Sequence, residues 1–330
     1  MAINQVYVGR ILSISDIENA DFIQHAIVVC GEGGKWSGII RKGEFVVDDL
    51  CEVYLQDSLL PQIERYAFLE KNKYRIKMMR MRGVPSEVLI MPLSIGEKEI
   101  GEDITEELNV EKYEKQIPAV LSGLAKGNFP SFIPKTDEPN FQIVSKMIEE
   151  LNGKKCYTTV KADGSSTTCY NKDGEFGVCS RNLEMKESGK NAFWQVANKY
   201  NVKEILGDKN IAIQFELVGP GVQKNPMGLK ELDGRLFNIY DIDNKKYLNS
   251  CDVRKFSEDY NFPMVEIISW DEIFIYESDE QLRKMAEGKY PNESQREGIV
   301  IRPMEETHVI IKKHPVRLSF KIINLLYKGD

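Results

Sequence analysis

A chain of 330 residues with 42% hydrophobic side chains can fill two packed domains, and a formal charge of −7 excludes a protein that coats nucleic acid indiscriminately. No run of about 18 apolar residues occurs, and MAINQVYVGR lacks the layout of a signal peptide, so no membrane association and an intracellular location are expected. The six cysteines show no CxxC and no nearby histidine at zinc-ligand spacing, so they are read as reduced core residues rather than a metal site.

The first hundred residues carry short β-branched or aromatic runs, VYVGRILSI, QHAIVVC, KWSGIIRKG and CEVYLQ, with a hairpin signal at CGEGGKW. Strands at this spacing predict a small barrel of OB type over residues 1–100. Within it, residues 61–90 hold seven Lys/Arg against three acids. Lys71, Lys73, Arg75 and Lys77 are predicted to alternate along one strand face, with Arg80 and Arg82 continuing past Met78-Met79. Such a row suits a phosphate backbone, and its competing reading is a charged edge strand that resists aggregation.

Residues 97–114 are acidic, and glycines and prolines recur from Met91 to Pro139, so a linker is placed at 101–139. The second domain, 140–330, opens with a predicted helix over NFQIVSKMIEELNG, capped by Asn140 and stopped by Gly153. KCYTTV, SSTTCYN and EFGVCSR follow as strands, the last two joined by a hairpin at Lys172-Asp173-Gly174. NAFWQVANKYNVKEIL has helical spacing, and further strands are expected at IAIQFELVG, LFNIYDI, EGIVIR and RLSFKII, with short helices at 252–260 and 279–286. The pattern is α+β with a largely antiparallel sheet.

Lys161-Ala162-Asp163-Gly164 alone is more often an exposed turn than a nucleophile. Four later segments alter that balance: Ser180-Arg181-Asn182, Phe215–Gly219 (FELVG), Leu236–Ile242 (LFNIYDI) and Glu297–Arg302 (EGIVIR), with Ser319–Asn324 (SFKIIN) after them. In that order, from Lys155 to Asn324, they resemble the motif series of the covalent nucleotidyltransferases, the polynucleotide ligases and messenger RNA capping enzymes. The resemblance implies an ATP-grasp-like ligase domain with an antiparallel sheet. A lysine nucleophile needs desolvation or nearby positive charge to shed its proton, and a divalent ion would supply that charge while neutralising phosphate oxygens.

By the resemblance, Lys161 is the catalytic nucleophile, and Asp163, Glu216 and Glu297 hold the water shell of Mg²⁺ or Mn²⁺. Arg181 and Lys321 are the catalytic cations on the transferred phosphate. Val160, Asp163, Gly164, Arg181, Glu216, Tyr240, Asp241 and Lys321 line the ATP site, with Tyr240 stacked on the purine and Asp241 supporting fold or nucleotide. Gly219, Gly221, Gln223 and Lys224 form a phosphate-facing loop, and Lys224 joins Lys71, Lys73, Arg75, Lys77, Arg80 and Arg82 as an expected RNA contact. Family members commonly carry K-x-K in the last motif, whereas this chain has Ser319-Phe320-Lys321, which leaves open whether Arg317 restores the charge. Arg302 is expected as a surface charge.

Nine residues follow Lys321, too few for the C-terminal OB or helical domain of capping enzymes and most ligases. An N-terminal OB domain before the core resembles the ATP-dependent RNA ligases of the Deinococcus and Naegleria type, and YRIKMMRMRGVPSEVL resembles a signature of OB-type tRNA-binding domains. The resemblance implies a monomer that seals RNA 3′-OH and 5′-phosphate ends, at nicks in duplexes, through lysyl-AMP and AMP-RNA. The alternatives are an RNA-capping guanylyltransferase, which would label with GTP, and a non-catalytic OB-fold RNA-binding protein.

Overall fold

The computed structural model describes residues 5–31, 34–113, 123–311 and 314–327. The chain divides into two compact units, Met1–Gln116 with Phe141–Ser145, and Ile117–Asn140 with Lys146–Asp330.

In the first unit β1 (Val6–Asp16), β2 (Ile23–Val29), β3 (Lys35–Arg41) and β4 (Leu50–Tyr54) precede three short strands, β5 (Ser58–Leu59), β6 (Met79–Met81) and β7 (Val84–Ser86). β8 (Leu89–Pro92) and β9 (Glu111–Lys112) complete it. The main sheet is antiparallel, in the order β3-β2-β1-β4-β8. It curls tightly where side chains are missing. A Cβ on Gly9 would stand 2.5 Å from Val53, and one on Gly38 would stand 2.4 Å from Ile90. Ile11, Val28, Trp36, Val53 and Ile90 pack on one side, and Val6, Val8, Tyr54, Ile104 and Leu108 on the other. Residues expected as linker thus contribute to this core, while Ala125–Asn128, strand β10, pairs in a sheet of the second unit.

The basic row is not a strand. Glu64–Asn72 is a 3₁₀ helix that contains Lys71, and Lys73 and Tyr74 are left-handed at φ 53° and 58°. Arg80 and Arg82 sit on the β6–β7 hairpin, whose turn Arg82-Gly83 has positive φ. The alternation of charges therefore wraps around a turn instead of lining one face. Lys71, Lys73, Lys77, Arg80 and Arg82 are exposed. Arg75 is committed to the fold, 2.6 Å from Asp57 and stacked 4.0 Å over the Tyr113 ring.

α1 (Ser145–Leu151), in the second unit from Lys146 onward, starts five residues later than the expected cap, and the 3₁₀ turn at Phe141–Ile143 ahead of it belongs to the first unit. Asn140 instead bridges to Lys321, and Gly153, at φ 81°, ends the helix as expected. The strands that follow are β11 (Lys155–Lys161), β12 (Ser165–Lys172), β13 (Glu175–Cys179) and β14 (Leu183–Met185). Then come β15 (Ile211–Val218), β16 (Asp233–Asp241), β17 (Lys246–Tyr247), β18 (Ile267–Ile273), β19 (Gly298–Pro303), β20 (His308–Ile311), β21 (His314–Arg317) and β22 (Phe320–Ile323). Two antiparallel sheets carry the site, one ordered β10-β14-β13-β12-β15-β16-β17 and the other β18-β11-β19-β22. Asp173 and Gly174, both at positive φ, make the predicted turn between β12 and β13.

The expected helix over 191–206 is two helices, α2 (Ala192–Lys199) and α3 (Val202–Leu206), because Asn201 adopts φ 49°. They bury Trp194, Val196, Val202 and Leu206 against Ile213, Phe215, Leu217 and Ile239 on one face of the seven-stranded sheet. α4 (Ser250–Tyr260) packs on β16, and α5 (Asp279–Ala286) covers β19 and β22 through Leu282 and Ala286. Among the described residues no helix is long and apolar enough to cross a membrane.

Candidate active site

Strand register decides which side chains can meet. Across the four-stranded sheet Lys161 lies opposite Gly298, which lies opposite Ile323, and Thr159 opposite Val300 and then Lys321. Opposite residues share a face, so Lys161 and Lys321 face the same way, one pleat repeat apart. Val160 points to the other face, buried at 4% exposure, and supports the lysine from behind.

β11 ends at Lys161, whose Nζ donates to Glu297 Oε1 at 2.6 Å. The chain then crosses to β12 through Gly164. A Cβ there would stand 2.2 Å from the Leu217 carbonyl oxygen, so only glycine lets β12 lie this close to β15. That approach brings the Gly164 N–H to the Glu216 carboxylate, while Gln223 Nε2 donates to the Gly164 carbonyl at 2.9 Å. Two tyrosines hold Asp163. Its N–H donates to Tyr290 Oη at 3.3 Å, and the Tyr327 hydroxyl donates to its carboxylate.

The charges are out of balance. Burial lowers the Lys161 ammonium, but Glu297, Glu216 and Asp163 outweigh it and hold the group above its ordinary range. Burial, reinforced by Glu297 and Asp163, pushes the Glu216 carboxyl up to about 8 despite Lys161. Three carboxyl groups thus crowd around one ammonium, and an added divalent cation would favour the ionised form of Glu216. Among the described residues no group of three or more His, Cys, Asp or Glu side chains stands close enough to ligate one ion directly.

The remaining sequence-predicted residues separate into two groups. Lys321 lies on the shared face, and its N–H donates to Pro139 O at 2.8 Å. Arg181 is exposed and pairs with Asp137 at 2.8 Å. Lys224 is exposed on the loop whose Gln223 reaches Gly164. Tyr240 lies opposite Ala212, four residues along β15 from Glu216 and hence about 13 Å away. Its ring packs edge-on against Tyr247 at 5.1 Å. Asp241 bonds the backbone and side chain of Asn244 and so closes a turn.

One residue after Lys161, Ala162 belongs with Val218 and Val265 to a small apolar cluster on which Phe237 packs. The register of β16 against β15 shifts between Gln214 and Phe215 and leaves Phe237 out of the paired register, whereas the expected aromatic, Tyr240, was chosen by motif position. Tyr290 and Tyr327 carried no sequence signal, because both lie outside the ordered motifs.

Arg302, expected on the surface, retains 4% exposure and pairs with Glu138 at 2.7 Å. Its Nε donates to Ser319 Oγ at 3.1 Å. Arg317 does not replace the missing lysine. It is gripped by Glu306 at 2.8 Å, donates to Asn238 at 2.9 Å and lies 3.9 Å over the Tyr247 ring.

A family model described as RNA ligase matches residues 154–323, and an OB-fold domain model matches residues 5–93. Among solved structures, a point mutant of the Naegleria gruberi RNA ligase with ATP and Mn is 32% identical, covering 97% of each chain at a TM-score of 0.82. The Naegleria gruberi enzyme with pyrophosphate is 32% identical over 97% of this chain and 96% of that one, at a TM-score of 0.81. Another of its point mutants, with AMP and Mn, is 32% identical at a TM-score of 0.82, again covering 97% of each chain. No curated protein matches the chain in a sequence comparison.

Proposed function

The chain belongs to the RNA ligase family, and we propose that it joins RNA 3′-OH and 5′-phosphate ends at nicks in duplexes, using ATP through lysyl-AMP and AMP-RNA. The observation that carries this reading is the contact of Lys161 with Glu297 at 2.6 Å, beside Glu216 and on the same sheet face as Lys321. Structures of a relative similar over nearly the whole chain hold ATP, AMP or pyrophosphate, reactant and products of nucleotidyl transfer, with Mn beside ATP and AMP.

In the first step Lys161 Nζ gives a proton to Glu297 and attacks the α-phosphorus of ATP. The Nζ–P bond forms, the bond to the β-phosphate oxygen breaks, and pyrophosphate leaves with the electron pair. The AMP then passes to the oxygen of an RNA 5′-phosphate, and the Lys161 nitrogen departs. Finally a 3′-OH attacks the phosphorus of the RNA 5′-phosphate, a 3′–5′ phosphodiester forms as the bond from that phosphorus to the adenylate oxygen breaks, and AMP leaves with the electron pair. Asp163, Glu216 and Glu297 would hold Mg²⁺ or Mn²⁺ through its waters, and the ion supplies positive charge that favours neutral Lys161 and offsets phosphate charge. Lys321 and Arg181 neutralise the phosphate oxygens. Phe237 serves as the purine platform, and Tyr240 is read as core.

Incubation with α-labelled ATP or GTP and Mn, followed by denaturing electrophoresis, tests the nucleotide. Label from ATP is expected, whereas label from GTP alone would indicate a capping enzyme, and label from neither a non-catalytic RNA-binding protein. Lys161→Ala and Lys161→Arg should both lose the label, since arginine keeps the charge but does not deprotonate. Nicks ending in ribo or deoxy 3′-OH nucleotides test the substrate. Faster sealing of the ribo nick is expected, because A-form shape and the 2′-OH are what distinguishes RNA without reading sequence.

A further inference from the structure

Three strand segments run side by side at Lys321. β22 pairs with β19 on one flank, Lys321 being opposite Val300, and on the other flank Lys321 N–H donates to Pro139 O, with Asn140 in a parallel bridge. One pleat repeat before Lys321, each segment contributes a polar side chain: the buried Arg302 from β19, the buried Ser319 ahead of β22, and the half-buried Glu138 beside Pro139. Arg302 Nε donates to Ser319 Oγ at 3.1 Å, and an Arg302 Nη donates to Glu138 at 2.7 Å. The Ser319 hydroxyl, which accepts from Arg302, is also among the groups that hold the Glu138 carboxyl below its ordinary range.

The row is electrically closed. Arg317 lies 4.0 Å from Glu138 and is itself neutralised by Glu306, giving two cations and two anions. A buried and balanced set of this kind lends little field to a distant phosphate, but it fixes geometry. A lysine at 319 would push a third cation into it, which explains physically why this strand carries serine there.

We infer that Ser319, held between Arg302 and Glu138, is a positioning residue for phosphate transfer: it fixes the backbone of β22 so that Lys321 is presented to the face that carries Lys161. The inference rests on the ligase reading given above. Removing the hydroxyl leaves the ion pair and the strand in place but frees the row's central link, so the effect falls on the transition state that Lys321 meets and not on binding of ATP in general.

The test is single-turnover formation of lysyl-AMP over a range of ATP concentrations, with melting followed in parallel. Ser319→Ala should slow the limiting rate about tenfold while the half-saturating ATP concentration stays within about twofold. Ser319→Thr, which keeps the hydroxyl, should restore the rate. In a Lys321→Ala background, followed for hours so that slow labelling is measured, Ser319→Ala should have no further effect. The inference is overturned if Ser319→Ala labels at the normal rate, if it only lowers the melting temperature, or if it slows the Lys321→Ala protein by the same factor. Should Ser319→Ala not fold, Ser319→Cys, which keeps the volume and weakens both bonds, must fall below the wild type for the inference to stand. An unsubstituted protein that takes no label from ATP would sink the ligase reading itself, an outcome distinct from all of these.

Discussion

Glu216 is the residue at which the imbalance of charge should be most visible in solution. Its carboxyl titrates near 8 in the folded chain against 4.5 for an ordinary glutamate, so between those values the folded state holds a proton that the unfolded state has lost. Stability from this group therefore falls as pH rises through that window. In chelator, melting temperature should decline from pH 5 to pH 8 more steeply in the wild type than in Glu216→Gln, and parallel curves would contradict the assignment. The proposed purine platform is a second residue-scale matter. Phe237→Ala should weaken ATP binding by about tenfold, in line with the loss of one aromatic stack, whereas Tyr240→Ala should mainly lower stability. Equilibrium nucleotide binding and thermal melts separate the two. The contact of Lys161 with Glu297 and the placing of Glu216 beside them were foreshadowed because all three sit in short ordered motifs. The packing of Phe237 near Ala162 was not, because it depends on a register shift between β15 and β16 that the sequence pattern does not encode.

Among the elements, β19 and β22 were read correctly as strands from EGIVIR and RLSFKII, yet the same strands hide the misjudged Arg302. A charged residue at a strand end is usually solvated, and only tertiary pairing with Glu138, far away in sequence, reverses that expectation. Burial pushes the Glu138 carboxyl up, but Arg302 and Arg317 outweigh it and hold the group below its ordinary range. Arg302→Met should strand that carboxylate and cost about 3–5 kcal/mol, measured by denaturant unfolding. A loss under about 1 kcal/mol would mean that the pair is solvated after all. The basic stretch 71–82 failed as a strand for a local reason. Lys73, Tyr74 and Arg82 all adopt positive φ, a choice that alternation of charge does not encode.

At the scale of the whole molecule, the residues proposed above for the nucleotide belong to the second unit, and the exposed Lys71, Lys73, Lys77, Arg80 and Arg82, expected as RNA contacts, to the first. Removal of the first unit should leave formation of lysyl-AMP and abolish sealing of nicked RNA. Charge reversal at Lys73 and Lys77 should weaken RNA binding and flatten its salt dependence, by a slope of about 0.7–0.9 for each phosphate that is no longer neutralised. Arg75 is excluded from that set, because its reversal would break the pairing with Asp57 and the stack on Tyr113 and so unsettle the fold. The claim on which all of this depends is that Lys161 becomes covalently bonded to AMP. Intact-mass spectrometry after incubation with ATP and Mn, followed by peptide fragmentation, addresses it directly. One AMP per chain, located on Lys161 and removed by added pyrophosphate, is the predicted result, and an unmodified chain or an adduct on any other residue would contradict it.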